Sequence, residues 1–119
     1  MLPKENRLLT REDFKAVFRG HLRARKGPFQ LVCEKNTMST DRFGFVVSLS
    51  VSKKAVRRNK LRRQLHEIIQ AMHSRKISGY DCVIRAYAGA DELPYDDIKQ
   101  YIVEMVKKVA MLHNTEHKL

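Results

Sequence analysis

The sequence has no tryptophan, only two cysteines and no run of 18 apolar residues. Lacking such a run, it offers no candidate for a membrane-spanning helix. A protein lying on a membrane surface would carry Trp, Phe or Leu opposite a basic helical face. Here there is no Trp, and the apolar residues are needed for a core. Cys33 and Cys82 stand 49 residues apart and form no CxxC pair. They read as reduced, buried thiols of a cytoplasmic protein rather than as a disulfide. The opening Met1-Leu-Pro-Lys-Glu-Asn-Arg7 lacks the apolar h-region of a secretory signal, in keeping with that compartment.

What the chain does contain is an ordinary globular balance, 43% hydrophobic and 31% charged over 119 residues. That is the length of a single domain spanning residues 1–119, with residues 114–119 expected as a flexible tail. A chain of this size buries roughly two-thirds of its unfolded surface, enough for a core without metal or disulfide support. One number departs from the ordinary. Lys and Arg total 24 against 13 Asp and Glu, a net charge of +11 and a pI near 10.0.

The excess is confined to the first half. Residues 1–63 carry 17 basic and 5 acidic side chains, and residues 64–119 carry 7 and 8. The densest stretch is Lys53-Lys-Ala-Val-Arg-Arg-Asn-Lys-Leu-Arg-Arg63, seven basic residues in eleven with no acid. Such a run can be a solvated face, or it can lie against an anionic membrane. Its density and Arg content point instead to nucleic acid, because unscreened cations this close repel one another strongly.

Apolar periodicity and turn residues give an αβββαβα order. Thr10-Arg-Glu-Asp13 is a capping box opening a helix to about Arg19 or Gly20, with Phe14, Val17 and Phe18 on one stripe. A short edge strand is expected at His21–Arg25, a second strand at Phe29–Glu34 and a third at Arg42–Leu49. A helix follows from about Ala55 to Ser74, with Leu61, Leu65, Ile68, Ile69 and Met72 on its core face. Tyr80–Ala86 reads as a strand. Pro94 at a first helical position, followed by Asp96 and Asp97, opens a last helix to about His113. The class is α+β, a small four-stranded sheet with helices packed on it.

On the second helix, Asn59, Arg62, Arg63, His66 and Gln70 lie opposite the apolar stripe. Arg guanidinium forks match phosphate oxygens two at a time, and the helix start offers free backbone N–H groups as well. Phe14 and Phe18, one turn apart among Arg11, Lys15 and Arg19, can be core residues or a stacking platform for a single strand. Phe29 and Tyr87 read as ordinary strand aromatics.

No catalytic site of the chain's own stands out, and none is expected. The acid cluster Asp91, Glu92, Asp96 and Asp97 is explained by helix-start electrostatics. His113 and His117 have i, i+4 spacing but no third ligand, so no metal site is expected. Ser48, Ser50 and Ser52 lack triad partners.

The segments Phe43-Gly-Phe-Val-Val-Ser48, Val51-Ser-Lys-Lys-Ala-Val56 and Arg58-Asn-Lys-Leu-Arg-Arg63 resemble the bacterial ribonuclease P protein component. Its signature is a G-(F/L)-V-S strand, a Lys-rich turn and a helix beginning R-N-R-x-K-R-x-x-R-E. Leu2-Pro-Lys-Glu-Asn-Arg-Leu8 and Asp13-Phe-Lys-Ala-Val-Phe18 are similar to that family's N-terminal segment. Lys60 replaces the middle Arg of the motif, His66 a later Arg, and Lys53-Lys54 makes the turn one residue longer.

The resemblance implies a left-handed βαβ crossover. It also implies the role of small subunit in a ribonucleoprotein that removes the 5′ leader of precursor tRNA. The RNA subunit is the catalyst and uses Mg²⁺; the protein holds no cofactor of its own. On this basis Lys53, Lys54, Arg57, Arg58, Asn59, Lys60, Arg62, Arg63 and His66 would bind the ribonuclease P RNA. Phe14, Phe18, Arg11 and Lys15 would hold the leader in a cleft between the first helix and the sheet. Neither a membrane nor an obligate protein partner is implied. The competing class is a basic RNA-binding structural protein, such as a ribosomal protein or an RNA chaperone.

Overall fold

The computed structural model describes residues 2–8, 10–38, 40–72 and 79–117. Its elements run α1 (Arg11–Phe18), β1 (Leu22–Lys26), β2 (Phe29–Lys35), β3 (Arg42–Val47), α2 (Ala55–Ala71), β4 (Tyr80–Ala86) and α3 (Tyr95–His117), with 3-10 turns at Lys4–Asn6 and Ala90–Glu92. The expected αβββαβα order holds.

Among these residues, four strands form one mixed sheet in the order β1-β2-β4-β3. β2 pairs antiparallel with both β1 and β4, while β3 and β4 are parallel and joined through α2. Strand alternation gives the sheet two unlike faces. One bears Leu22, Ala24, Phe29, Leu31, Cys33, Phe43, Cys82 and Ile84, packed with Leu61, Leu65, Ile68 and Ile69 of α2 and Ile98, Ile102, Met105 and Val109 of α3. This is the main core. The other bears a small cluster, Val32 and Val83 under Leu8 and Val17, with Phe14, Phe18 and Val46 at its margin. Cys33 and Cys82 face each other across β2 and β4 as free, buried thiols.

The local signals explain the element ends. Thr10 Oγ1 accepts from the Asp13 N–H at 3.1 Å, and the Asp13 carboxylate accepts from the Thr10 N–H at 3.3 Å, so the capping box is complete. Arg42 then ties the start of α1 to the sheet, donating to both Asp81 oxygens at 2.9 and 2.6 Å and reaching Asp13 at 3.5 Å.

α1 ends at Phe18, short of the expected Arg19 or Gly20, β1 is shifted by one residue to Leu22–Lys26, and β2 runs one residue further, to Lys35. Three other boundaries differ for a visible reason. β3 stops at Val47 because Ser48 turns the chain, its carbonyl accepting from Val51 N–H at 3.0 Å, and Leu49 is left 67% exposed. Pro94 precedes α3 rather than opening it, and its carbonyl accepts from the Asp97 and Ile98 N–H groups. α3 continues to His117, past the expected end at His113 and into the segment expected as a tail, since no Gly or Pro follows to stop it. The expected end of α2 at Ser74 lies outside the described residues.

Candidate nucleic-acid interface

The helical stripe of α2 is buried as its periodicity requires, with Leu61, Leu65, Ile68 and Ile69 no more than 1% exposed. That seats the basic residues on the far side and the flanks. Lys53, Lys54, Asn59, Lys60 and Arg63 are exposed, and Arg62 is half-buried with its guanidinium donating to Asn59 Oδ1 at 3.0 Å. Two arginines of the run have work inside the molecule. Arg58 donates to the Ser52 carbonyl at 2.9 Å and so clamps the turn leading into α2. Arg57 pairs with Asp91 at 2.6 Å, and the Asp91 side chain is only 6% exposed. The charge of Asp91 is therefore answered by α2, not by the start of α3, which corrects the helix-start explanation for that residue. Asp96 and Asp97 do stand in the first turn of α3.

His66 does not project freely beside them. Its ring lies against Phe45, centroids 4.4 Å apart and planes tilted by 52°. Burial pushes the imidazole below its ordinary pKa, and the neighbouring Arg7 and Arg62 charges act in the same direction. His113 is committed elsewhere, its Nδ1 2.7 Å from the Tyr80 hydroxyl, where it fastens α3 to the start of β4.

The second surface lies on the thinner face of the sheet. Phe14 sits over Gly44: a Cβ there would come within 2.5 Å of its ring, so glycine is what lets α1 approach. Phe14 and Phe18 are both half-buried. They are neither fully core nor free, which joins the two readings left open by the sequence. Arg11 and Lys15 are exposed on the outer side of α1.

The strand register shows what α1 leaves open. The row Arg23, Val32, Val83 and Gly44 lies beneath the helix, with Arg23 donating to the Phe18 carbonyl at 2.6 Å. The next row, Arg25, Gln30, Arg85 and Val46, is not covered; each member is half-buried or exposed. The Arg85 guanidinium lies 4.5 Å from the Phe18 ring centroid, and Arg25 lies 4.4 Å from that of Tyr87. The Tyr87 hydroxyl donates to Gln30 Oε1 at 3.2 Å. Rings, guanidiniums and an amide thus form a shelf beside α1, suited to unstacked bases and their phosphates.

Sequence reasoning missed this row and passed over Tyr87. The signal was the pattern Asp81-x-Val83-x-Arg85, which puts polar groups on one face of a strand otherwise buried on both. Phe29, read alongside Tyr87, is core at 0% exposure.

No helix among the described residues is long and apolar enough to cross a membrane. A family model described as ribonuclease P matches residues 2–110. The ribonuclease P protein component of a Pseudanabaena strain is 35% identical over 116 residues, covering 95% of this chain and 98% of that one. That of Aliivibrio salmonicida is 35% identical over 100 residues, covering 83% and 84%. Among solved structures, the Thermotoga maritima RNase P protein superposes with a TM-score of 0.77 at 27% identity, covering 86% of this chain and 96% of its own. The Staphylococcus aureus RNase P protein shares the fold with a TM-score of 0.77 at 24% identity, covering 86% and 93%. On the matched family model and these relatives, the chain belongs to the family of ribonuclease P protein components.

Proposed function

We propose that this chain binds a catalytic ribonuclease P RNA and the 5′ leader of precursor tRNA, and so promotes endonucleolytic removal of the leader. The observation that carries this reading is the pairing of two unlike surfaces on one small domain. One is a phosphate-matching helix face at Lys53, Lys54, Lys60, Arg62 and Arg63; the other is the ring-and-guanidinium shelf of Phe18, Arg85, Gln30, Tyr87 and Arg25. A rigid basic helix suits a folded RNA whose phosphates are arrayed in space. A shelf that stacks bases suits a single strand, since every base has a π-face. Phe14 stands one turn before Phe18 on α1, and the exposed Arg11 and Lys15 add positive charge to that helix. No bond-breaking step is given to a protein side chain; the reacting metal ions belong to the RNA, and the protein binds and positions.

The competing reading, a structural RNA-binding protein, explains the helix but gives no purpose to a separate single-strand shelf. The experiment is 5′-leader cleavage of a precursor tRNA at low Mg²⁺ by a bacterial ribonuclease P RNA, with and without the chain. Faster cleavage with the chain, growing as the leader is lengthened across the shelf, is the expected result. No stimulation at any leader length would remove the proposal.

A further inference from the structure

The two surfaces meet at a notch that draws Phe14 from one and Arg62 from the other. It is a cavity of about 190 Å³ at the outer edge of β3, lined by Arg7, Leu8, Phe14, Phe45, Arg62 and His66. Its walls come from four separate parts of the chain: the N-terminal segment, α1, β3 and α2. We propose that this notch is a binding pocket for a single unstacked nucleobase of the bound RNA. The inference rests on the RNA-binding reading above and adds a specific site to it.

Four observations support it. The space, about 190 Å³, is well beyond the ~10–15 Å³ that a single water needs, so it can take a larger group. Its lining is aromatic at Phe14, Phe45 and the His66 ring and cationic at Arg7 and Arg62, the combination that accepts a base together with its phosphate. Polar atoms for an edge are at hand. His66 Nδ1 is buried and has no hydrogen-bond partner among the described residues, a costly state that a base edge would relieve. β3 is also a sheet edge, and the Phe43 carbonyl already accepts the Leu8 N–H on its outer side at 3.0 Å. Strand alternation therefore turns the Phe45 N–H and C=O to that same outer side, beside the notch. Finally, the notch lies between the two surfaces. Val46, the β3 end of the open row, adjoins Phe45, while Arg62 and His66 belong to α2.

The test is an NMR titration of the full chain with AMP, UMP, ribose 5-phosphate and inorganic phosphate, following the Gly44 and Phe45 amides and the His66 ring. Saturable shifts at these groups with AMP or UMP are expected, with ribose 5-phosphate and phosphate at least about tenfold weaker. His66→Phe keeps a ring against Phe45 and removes the hydrogen bond; it should weaken the nucleotide by roughly three- to tenfold. His66→Ala, checked for an intact fold by its melting curve, should weaken it at least as much. Equal shifts with ribose 5-phosphate would make the notch a plain anion site and overturn the proposal. So would no shift with any probe up to about 20 mM, weaker than a useful subsite, or an unchanged affinity in His66→Phe. The low-Mg²⁺ cleavage assay separates the two readings. A chain that stimulates cleavage but does not bind nucleotide here loses only the pocket; one that binds nucleotide but does not stimulate cleavage loses the function.

Discussion

Replacing Arg85 or Phe18 with alanine tests the shelf while leaving the α2 face untouched. The Arg85 guanidinium covers the Phe18 ring at 4.5 Å and is half-buried, so its removal costs the fold only a cation–π contact, ~0.5–1 kcal/mol. Phe18 is also half-buried. Its truncation should cost about half of the ~3–5 kcal/mol typical of a fully buried Phe, and lower Tm by about 5–15 °C. Binding should separate by ligand. A base stacked on Phe18 contributes ~1–3 kcal/mol, so Phe18→Ala should weaken precursor tRNA by roughly 5- to 150-fold. Arg85→Ala, losing one cation–π contact and one charge, should weaken it by roughly 3- to 10-fold. Mature tRNA has no leader and should bind either variant holoenzyme as it binds the unchanged one. The assay is a pair of dissociation constants for each variant holoenzyme, taken well below its Tm. Equal weakening of precursor and mature tRNA would refute the shelf as a leader site, and so would unchanged precursor affinity in both variants.

On α2, Lys60→Ala and Arg63→Ala should each reduce the slope of log K for RNA against log[salt] by about 0.7–0.9 with little change in Tm, and an unchanged slope in both would count against phosphate contacts there. Arg57→Ala should behave differently: it strands the buried Asp91 carboxylate, so a stability loss of ~1–3 kcal/mol in a thermal melt is expected. Gly44→Ala forces a methyl group within 2.5 Å of the Phe14 ring and should cost ~1–3 kcal/mol; a melt matching the unchanged chain would show that α1 does not depend on this contact. His66 is held below its ordinary pKa of 6.5 by burial and by Arg7 and Arg62, so the unfolded chain binds its proton more readily than the folded one. Its contribution to stability is therefore present above pH 6.5 and is lost as pH falls from there through the lower folded value. Melts between pH 7.5 and pH 5 should show a smaller loss for His66→Phe than for the unchanged chain, and parallel curves would contradict this.

Local chemistry was legible in the sequence where both partners lie close in the chain. Thr10 and Asp13 are three residues apart, and their capping box needs nothing else to form. The apolar stripe of α2 and the span of β4 follow from periodicity and bounding turns, and the basic side of α2 follows from the same stripe. Side-chain fates decided at a distance were not legible. The pairing of Arg57 with Asp91 spans 34 positions, and only packing of the Ala90–Glu92 turn against α2 brings them together.

The sequence by itself determined the α+β order, the core stripes, the placement of positive charge on the outer side of α2 and, through its motifs, the family. Tertiary structure alone decided the shelf and the notch. Arg25, Gln30, Arg85 and Val46 come from four strands and share a row only because of the pairing register, which a slip of one residue would dissolve by turning each side chain to the other face. The half-burial of Phe14 and Phe18 likewise depends on how closely α1 settles on Gly44. Periodicity reports which side of an element is apolar; how much of a sheet face its neighbour covers is set by contacts between residues far apart in the chain, and function here lies in the part left uncovered.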